Sequence, residues 1–380
     1  MEILIDFFSR PINYFIIVLG LMFLIQLFYY LFYYLRILFP PKYTVTQTEA
    51  FPVSVIICAR DEEENLEENL PSILEQEYPN YEVIVVDDCS EDNSDMTLQR
   101  LSKKYPHLKT TRIKKDAKFS HNKKLAVTVG IKAAKHEWLV FTDADCKPES
   151  MNWLQSLQKH FIDSTEIVLG YGGYKKEKGF LNHMIRFETM FIALQYFTFA
   201  MAGKPYMGVG RNLAYRKSLF FKNKGFAGHH HIDTGDDDIF INQTANKKNT
   251  RVAMDSKSHT RSKAASNFKA WANQKRRHLG SFKLYKKSNR FRLSMEVISR
   301  ELFYLFIVLS LLFTPFYYFY IIGAFGLRWI LQLVVLRSAS KRMNEKYLFI
   351  PALFYDIILP FLHALFSILN LFSGKKHRWK

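Results

Sequence analysis

Trp138-Leu139-Val140-Phe141-Thr142-Asp143-Ala144-Asp145 is an apolar run that ends on two carboxylates. The first five residues read as a buried strand, and the acids sit on its lip. Upstream, Val53-Ser54-Val55-Ile56-Ile57-Cys58 reads as a strand of the same kind. A Glu-rich helical stretch, Glu62 to Glu77, and a turn at Pro79-Asn80 follow it. Glu82 to Val86 is a second strand, ending at Asp87-Asp88. Asp95 to Tyr105 reads as a helix, Leu108 to Ile113 as a strand and Asn122 to Ala134 as a helix. This alternation predicts an α/β fold, a Rossmann-like, mainly parallel, doubly wound sheet. Ligands of such sheets lie at the carboxyl ends of the strands. Asp61, Asp88, and Asp143 with Asp145 are therefore expected around one crevice. A Gly-x-Gly-x-x-Gly after the first strand is missing, which disfavours a dinucleotide fold.

The chain has 380 residues, and 53 Lys plus Arg against 35 Asp plus Glu give a net charge of +18. That balance favours anionic partners: nucleic acid, an anionic lipid leaflet or nucleotide phosphates. A 16% aromatic content with 34 Phe suits a chain partly in lipid, and no recognition motif supports nucleic acid. Cys58, Cys89 and Cys146 lack the spacing of a disulfide framework or a zinc site and read as reduced cytoplasmic thiols.

Tyr14 to Leu35 carries no charge, and its about 22 residues suffice to cross a hydrocarbon core ~30 Å thick. A cleaved signal would need a basic start and small residues at its exit. Here Glu2 and Asp6 precede the run, and Leu38-Phe39-Pro40-Pro41 follow it, which favours an uncleaved anchor. Arg36 and Lys42 come after it, so the positive-inside rule puts the next segment in the cytoplasm. Leu302 to Leu327 and Tyr347 to Phe372 are apolar again. Arg328, Arg337, Lys341, Arg342 and Lys346 lie between them, and Lys375 to Lys380 is basic. Keeping both clusters cytoplasmic calls for a tight hairpin broken at Pro315 and a second excursion broken at Pro360. Asp356 is read as a carboxyl facing protein or the interface rather than a polar pathway. The expected organisation is an anchor over 1–45, a catalytic domain over 46–295 and a membrane region over 296–380. The expected location is the inner (plasma) membrane, multi-pass, with the catalytic domain cytoplasmic.

Asp143 and Asp145 supply oxygen ligands suited to Mg²⁺ or Mn²⁺. Asp88 can accept hydrogen bonds from a base or ribose, or cap the turn after it. Lys123 and Lys124 begin a helix, where cation and helix N-terminus together can hold phosphate. Gly235-Asp236-Asp237-Asp238 precedes Ile239-Phe240-Ile241, and three acids there either cap that helix or supply a general base. Gln274, Arg277 and His278 share a face of an expected helix over Asn267 to Tyr285, with Trp271 one turn before. Arg277 can neutralise a diphosphate; the alternative is a basic helix lying on anionic lipid. His229-His230-His231 is read as a loop, since three adjacent histidines cannot all face one ion.

In this order the motifs resemble the family-2 glycosyltransferases of GT-A fold, in particular membrane-bound relatives of cellulose and hyaluronan synthases. The resemblance covers about Phe51 to Lys287. It implies that Arg60, Asp61 and Glu62 form the first nucleotide-contacting loop, that Asp88 contacts the base, and that Lys123 and Lys124 stand near the donor. It implies Asp143 and Asp145 as the Asp-x-Asp pair, with Asp145 the metal ligand. Gly210-Arg211-Asn212 resembles the acceptor side. Gly235-Asp236-Asp237 resembles the motif whose last acid is the base, which selects Asp237. Gln274 to His278 resembles the Gln-x-x-Arg-Trp motif with His278 in place of Trp, a departure that weighs against processive synthesis. The implied activity is inverting transfer from a nucleotide-diphosphate sugar, with a UDP sugar expected, to a glycan or lipid-linked acceptor at the cytoplasmic membrane face. The alternatives are a processive synthase, a nucleotidyltransferase, which usually carries a Gly-rich loop missing here, and an inactive membrane scaffold.

Overall fold

The structure is a computed structural model that describes residues 13–41, 50–114, 122–229, 235–349 and 351–372. Helix α1 (Tyr14–Phe28) continues through tighter and wider helical turns to Leu38. The central part then alternates: β1 (Val53–Ala59), α2 (Glu63–Leu74), β2 (Tyr81–Asp88), α3 (Ser94–Lys104), β3 (Leu108–Ile113), α4 (Lys123–Ala133) and β4 (Trp138–Asp143). It continues with β5 (Lys147–Pro148), α5 (Trp153–Gln158), β6 (Ile167–Leu169), β7 (Gly172–Tyr174), α6 (Phe180–Met201), β8 (Leu213–Arg216) and α7 (Lys217–Lys222). Next come α8 (Asp238–Thr244), β9 (Thr250–Val252), β10 (Thr260–Ser262) and α9 (Phe268–Leu279). Three long helices follow: α10 (Lys287–Phe313), α11 (Tyr318–Arg342) and α12 (Ala352–Phe372).

The main sheet has the order β3-β2-β1-β4-β8-β6-β9. Its β3-β2-β1-β4 half is parallel throughout, and β8 runs antiparallel to both its neighbours. The mainly parallel sheet read from the sequence is therefore present. Every residue of β1 is buried because helices cover both faces. Val55 and Ile57 pack with Leu66 and Leu70 of α2, and Ile56 packs on the other side with Ala126 and Val127 of α4. Each such aliphatic side chain, fully buried, contributes about 1.5–3 kcal/mol. A second sheet, β5-β10-β7, stands beside the first.

Among the described residues, two helical stretches, Tyr14–Leu38 and Pro315–Arg342, are long and apolar enough to cross a membrane. The expected break at Pro315 is present: a short turn over Pro315–Tyr317 separates α10 from α11. The break expected at Pro360 is not, for Pro360 lies inside α12. A proline loses its own N–H bond and crowds the carbonyl four residues back, but an apolar helix can carry on through its remaining bonds. Asp356 faces protein, accepting from Arg300 at 3.0 Å, Arg328 at 2.8 Å and the Tyr304 hydroxyl at 2.6 Å. Helix α10 runs across the boundary expected at residue 295; the boundary expected at residue 45, Glu2, Asp6, Lys42 and the basic tail lie outside the described residues.

Candidate active site

The strand register sets Cys58 beside Asp143, so the segments leaving β1 and β4 emerge side by side. Arg60 and Glu62 follow β1; Asp143 ends β4 and Asp145 follows it. All four line a cavity of about 1370 Å³ together with Lys123, Gly210, Arg211, Asp236, Asp237, Gln274, Arg277 and His278.

The Asn122 side chain caps α4 by accepting from Leu125 N at 3.1 Å. The cap makes Lys123 the first helical residue and sends its ammonium across to Asp143 Oδ1 at 2.7 Å, with Asp236 Oδ2 at 3.5 Å. Burial alone would push this ammonium down, but the carboxylates of Asp143, Asp236 and Asp237 hold it well above its ordinary range. The same contact, working against burial, holds Asp143 below its ordinary range. Asp145 is raised by burial and then by the charge of Asp143. A carboxylate pair in this state gains from a shared cation. One carboxylate oxygen from each of Asp143 and Asp145, with Cys146 Sγ, lies within a 4.8 Å span. Burial pushes the Cys146 thiol up. The two carboxylates offer oxygen donors, which fit a hard divalent ion.

Gly235 has φ of +92°, and a Cβ there would strike Ile239 Cδ1 at 2.2 Å, so only glycine makes the turn into α8. The turn leaves Asp237 as the α8 cap: its Oδ1 accepts from Asp238 N at 2.7 Å and its Oδ2 from Gly210 N at 2.6 Å. A Cβ on Gly210 would sit 3.3 Å from Asp237 Oδ2 and 3.4 Å from Lys123 Nζ, so this glycine lets the backbone approach both. Each Asp237 oxygen keeps a lone pair for a substrate hydroxyl. The capping role weighed for these acids thus falls to Asp237, and capping does not use up its acceptor capacity.

Arg211 stacks on Tyr174 at 4.2 Å and donates to Gly173 O at 3.3 Å. The Tyr174 hydroxyl in turn accepts from Gln274 Nε2 at 3.2 Å. Lys275 pairs with buried Glu188 at 2.7 Å. Trp271 is wholly buried, donates to Glu188 at 3.1 Å and packs on Phe366, so it offers the cavity no face. Asp238 is buried, and Tyr285 OH donates to it at 2.8 Å. Ser281 Oγ lies against both Asp238 and the His278 carbonyl. Burial, followed by the charge of Asp237, raises the Asp238 pKa to about 7.

Four residues read from the sequence as donor- or acceptor-side stand apart from the described cavity walls. Asp61 accepts from Glu91 N at 2.7 Å and ties two strand-end loops together. Asp88 is fully buried. Lys124 donates to the His229 carbonyl at 2.6 Å. Asn212 donates to Tyr171 O and Ser258 O in the core. His229 is buried with Nε2 3.0 Å from Gly235 O; His230 and His231 lie outside the described residues. Tyr174 and Glu188 are contributions that the sequence reading missed.

Carboxylates and cations around one cavity, at the carboxyl ends of a mainly parallel sheet, fit a GT-A glycosyltransferase. The chain belongs to the glycosyl transferase family group 2, whose model matches residues 143–368; the glycosyl transferase family 2 model matches residues 54–222. It is similar to glycosyltransferase AglE of Haloferax volcanii, with 34% identity over 113 residues, 29% of this chain and 35% of that protein. It is also similar to the poly-beta-1,6-N-acetyl-D-glucosamine synthase of Staphylococcus epidermidis, with 29% identity over 93 residues, 24% of this chain and 21% of that one. Both matches span well under half of the relative's length. The solved mannosyltransferase PcManGT from Pyrobaculum calidifontis, in complex with GDP-Man and Mn²⁺, shares the fold at a TM-score of 0.63. That alignment has 17% identity and covers 96% of this chain and 100% of that one.

Proposed function

We propose that the protein transfers a sugar, with inversion, from a nucleotide-diphosphate sugar to an acceptor at the cytoplasmic membrane face. The observation that carries this is the facing of Asp237 and the Asp143–Asp145 pair across one cavity that also holds Lys123, Arg211 and Arg277. The acceptor hydroxyl gives its proton to Asp237, and its oxygen forms the new bond to the anomeric carbon. The bond from that carbon to the diphosphate oxygen breaks, and the electron pair leaves with the nucleotide. Lys123 and Arg277 stabilise the departing charge. Asp143 and Asp145 would hold a Mg²⁺ or Mn²⁺ ion, which supplies Lewis-acid neutralisation of the diphosphate when bound. GDP-Man and Mn²⁺ in the fold relative are consistent with such a donor and ion.

The membrane reading rests on the two apolar stretches and on the loop after α11. Glu345 in that loop bonds Arg186 and Tyr171 of the catalytic domain, which supports a common side for that domain and the basic cluster around Arg342. The turn at Pro315 returns the chain to that side. We further propose a short product. His278 takes the place of an indole, and Trp271 is buried, so neither gives a sugar ring a broad stacking surface.

The test is purified protein in detergent with a panel of nucleotide sugars, with released nucleotide as the readout. One preferred donor releasing its nucleoside diphosphate is the expected result. Release of pyrophosphate instead would make the protein a nucleotidyltransferase.

A further inference from the structure

The cavity is larger than its donor chemistry needs. Small-molecule sites run to about 300–1,000 Å³, whereas this one is about 1370 Å³. Beyond Asp237 and Arg277 its lining changes character. It runs between the apolar helices, along Leu293, Val297 and Ile298 of α10 and Pro360 and Ala364 of α12. Residues 293, 297, 298 and 301 follow one another at helical spacing, so one stripe of α10 faces the groove, and 360 and 364 do the same on α12. Ser294, Pro360 and Ala364 are small, which keeps the groove open. Ile298 is half exposed although it lines the cavity, and Phe361 and Leu365, next in sequence to the groove residues of α12, are half exposed as well. The groove therefore opens on an apolar outer surface of the helical region.

We propose that this groove holds the hydrocarbon chain of a membrane lipid whose polar head carries the accepting oxygen. The inference rests on the glycosyl-transfer reading above and specifies its acceptor. The two ends of the cavity orient the lipid. Arg211, Lys275 and Arg277 line the catalytic end, while Glu301 lies at the far end of the α10 stripe. A polar head is drawn to the first end, where these cations stand beside the carboxylates of Asp143, Asp145, Asp236 and Asp237, and the hydrocarbon chain to the apolar stripe. The chain enters sideways between α10 and α12, and the head reaches Asp237 without leaving the membrane surface.

Two readouts test this on the full-length protein in bilayer vesicles made from the total lipid of the expressing cells. The first is photo-crosslinking with a diazirine-bearing diacyl lipid, followed by peptide mapping, which needs no turnover. Labelling is expected on the groove stripes of α10 and α12, with at least a fivefold loss in Val297→Trp and Ala364→Trp. Leu305→Trp, on an exposed side of α10, serves as the control and keeps wild-type labelling. The second readout follows label from the nucleotide sugar into butanol-extractable product. Both groove variants are expected to lose at least tenfold there while binding nucleotide as the wild type does. Groove labelling without any sugar transfer would fault the catalytic reading and leave the lipid groove standing. Labelling that the two groove variants do not reduce, or wild-type transfer into water-soluble product alone, would overturn the proposal. Loss of nucleotide binding in one variant marks misfolding, and the other variant then decides.

Discussion

Replacing Asp237 with asparagine removes the proposed base and disturbs a cap in the same stroke, and the structure separates the two effects. Both Asp237 oxygens accept backbone N–H groups, from Gly210 at 2.6 Å and Asp238 at 2.7 Å. An amide offers one oxygen, so one of those N–H groups must face the new NH₂. Leaving a buried donor unpaired costs about 1–3 kcal/mol, and the variant should unfold at lower temperature by a matching amount. That loss acts on the population of folded enzyme. Transfer by the folded enzyme should fall further, by about 10²–10⁴, which is about 2.7–5.4 kcal/mol of barrier at 1.36 kcal/mol per decade. The assay is nucleotide release at saturating acceptor, normalised to folded protein by nucleotide binding. A fall of less than tenfold in that normalised rate would show that another acid takes the proton. Loss of nucleotide binding in step with transfer would show that Asp237 matters as a cap alone.

Extensive dialysis against EDTA should abolish turnover, and Mg²⁺ or Mn²⁺ should restore it; full turnover in EDTA would contradict the role given to Asp143 and Asp145. The Asp238 carboxyl, raised to about 7 from an unfolded value near ~3.9, holds its proton more tightly in the folded protein. Its contribution to stability therefore declines as pH rises from about 4 to about 7 and levels off above. Thermal melts of Asp238→Asn against wild type should show the variant gaining on it through that window; a difference independent of pH would refute the assignment. A cysteine introduced on an exposed part of the catalytic domain should resist an impermeant thiol reagent in intact cells, and ready labelling would place that domain outside.

What the sequence made legible is what short-range physics writes into it. The Asp-Ala-Asp lip of β4 follows a continuous apolar run, and the run alone identifies the strand and its functional end. Gly235 before three acids marks a turn that only glycine can make, and Asp237 lies where that turn releases the chain into α8. Direction is harder to read than position. Arg211 and Asn212 are neighbours entering a strand, so their side chains part to opposite faces, one to the cavity and one to the core. Lys123 and Lys124 are about 100° apart on a helix, and only the first turns toward Asp143. Long-range partners leave no local mark. Tyr174 meets Gln274 across 100 residues and Glu188 meets Trp271 across 83. Pro360 misled because proline signals a break where water competes for the backbone, and an apolar helix does not meet that competition.

The catalytic and helical regions are joined by buried charge rather than by a flexible connection. Glu345, between α11 and α12, accepts from Arg186 at 2.5 Å and from Tyr171 at 2.9 Å, and pairs with Arg261 of β10. Arg261 also donates to Met343 O at 2.8 Å and pairs with Glu149 at 3.1 Å. On the other side Arg342 donates to Ile37 O and Leu38 O at the end of the first apolar stretch. Buried pairs of this kind add little net stability against an apolar equivalent, but removing one partner costs about 3–5 kcal/mol. Their effect is to fix one arrangement. With Arg261 fixed in β10, the second sheet is held against the helices, and β7 of that sheet carries Tyr174, on which Arg211 stacks. Catalytic residues and groove thus share one frame. On the proposed lipid reading, an acceptor lying between α10 and α12 would meet Asp237 within this frame, and the reach from its apolar chain to its reactive oxygen would then bear on which acceptors fit.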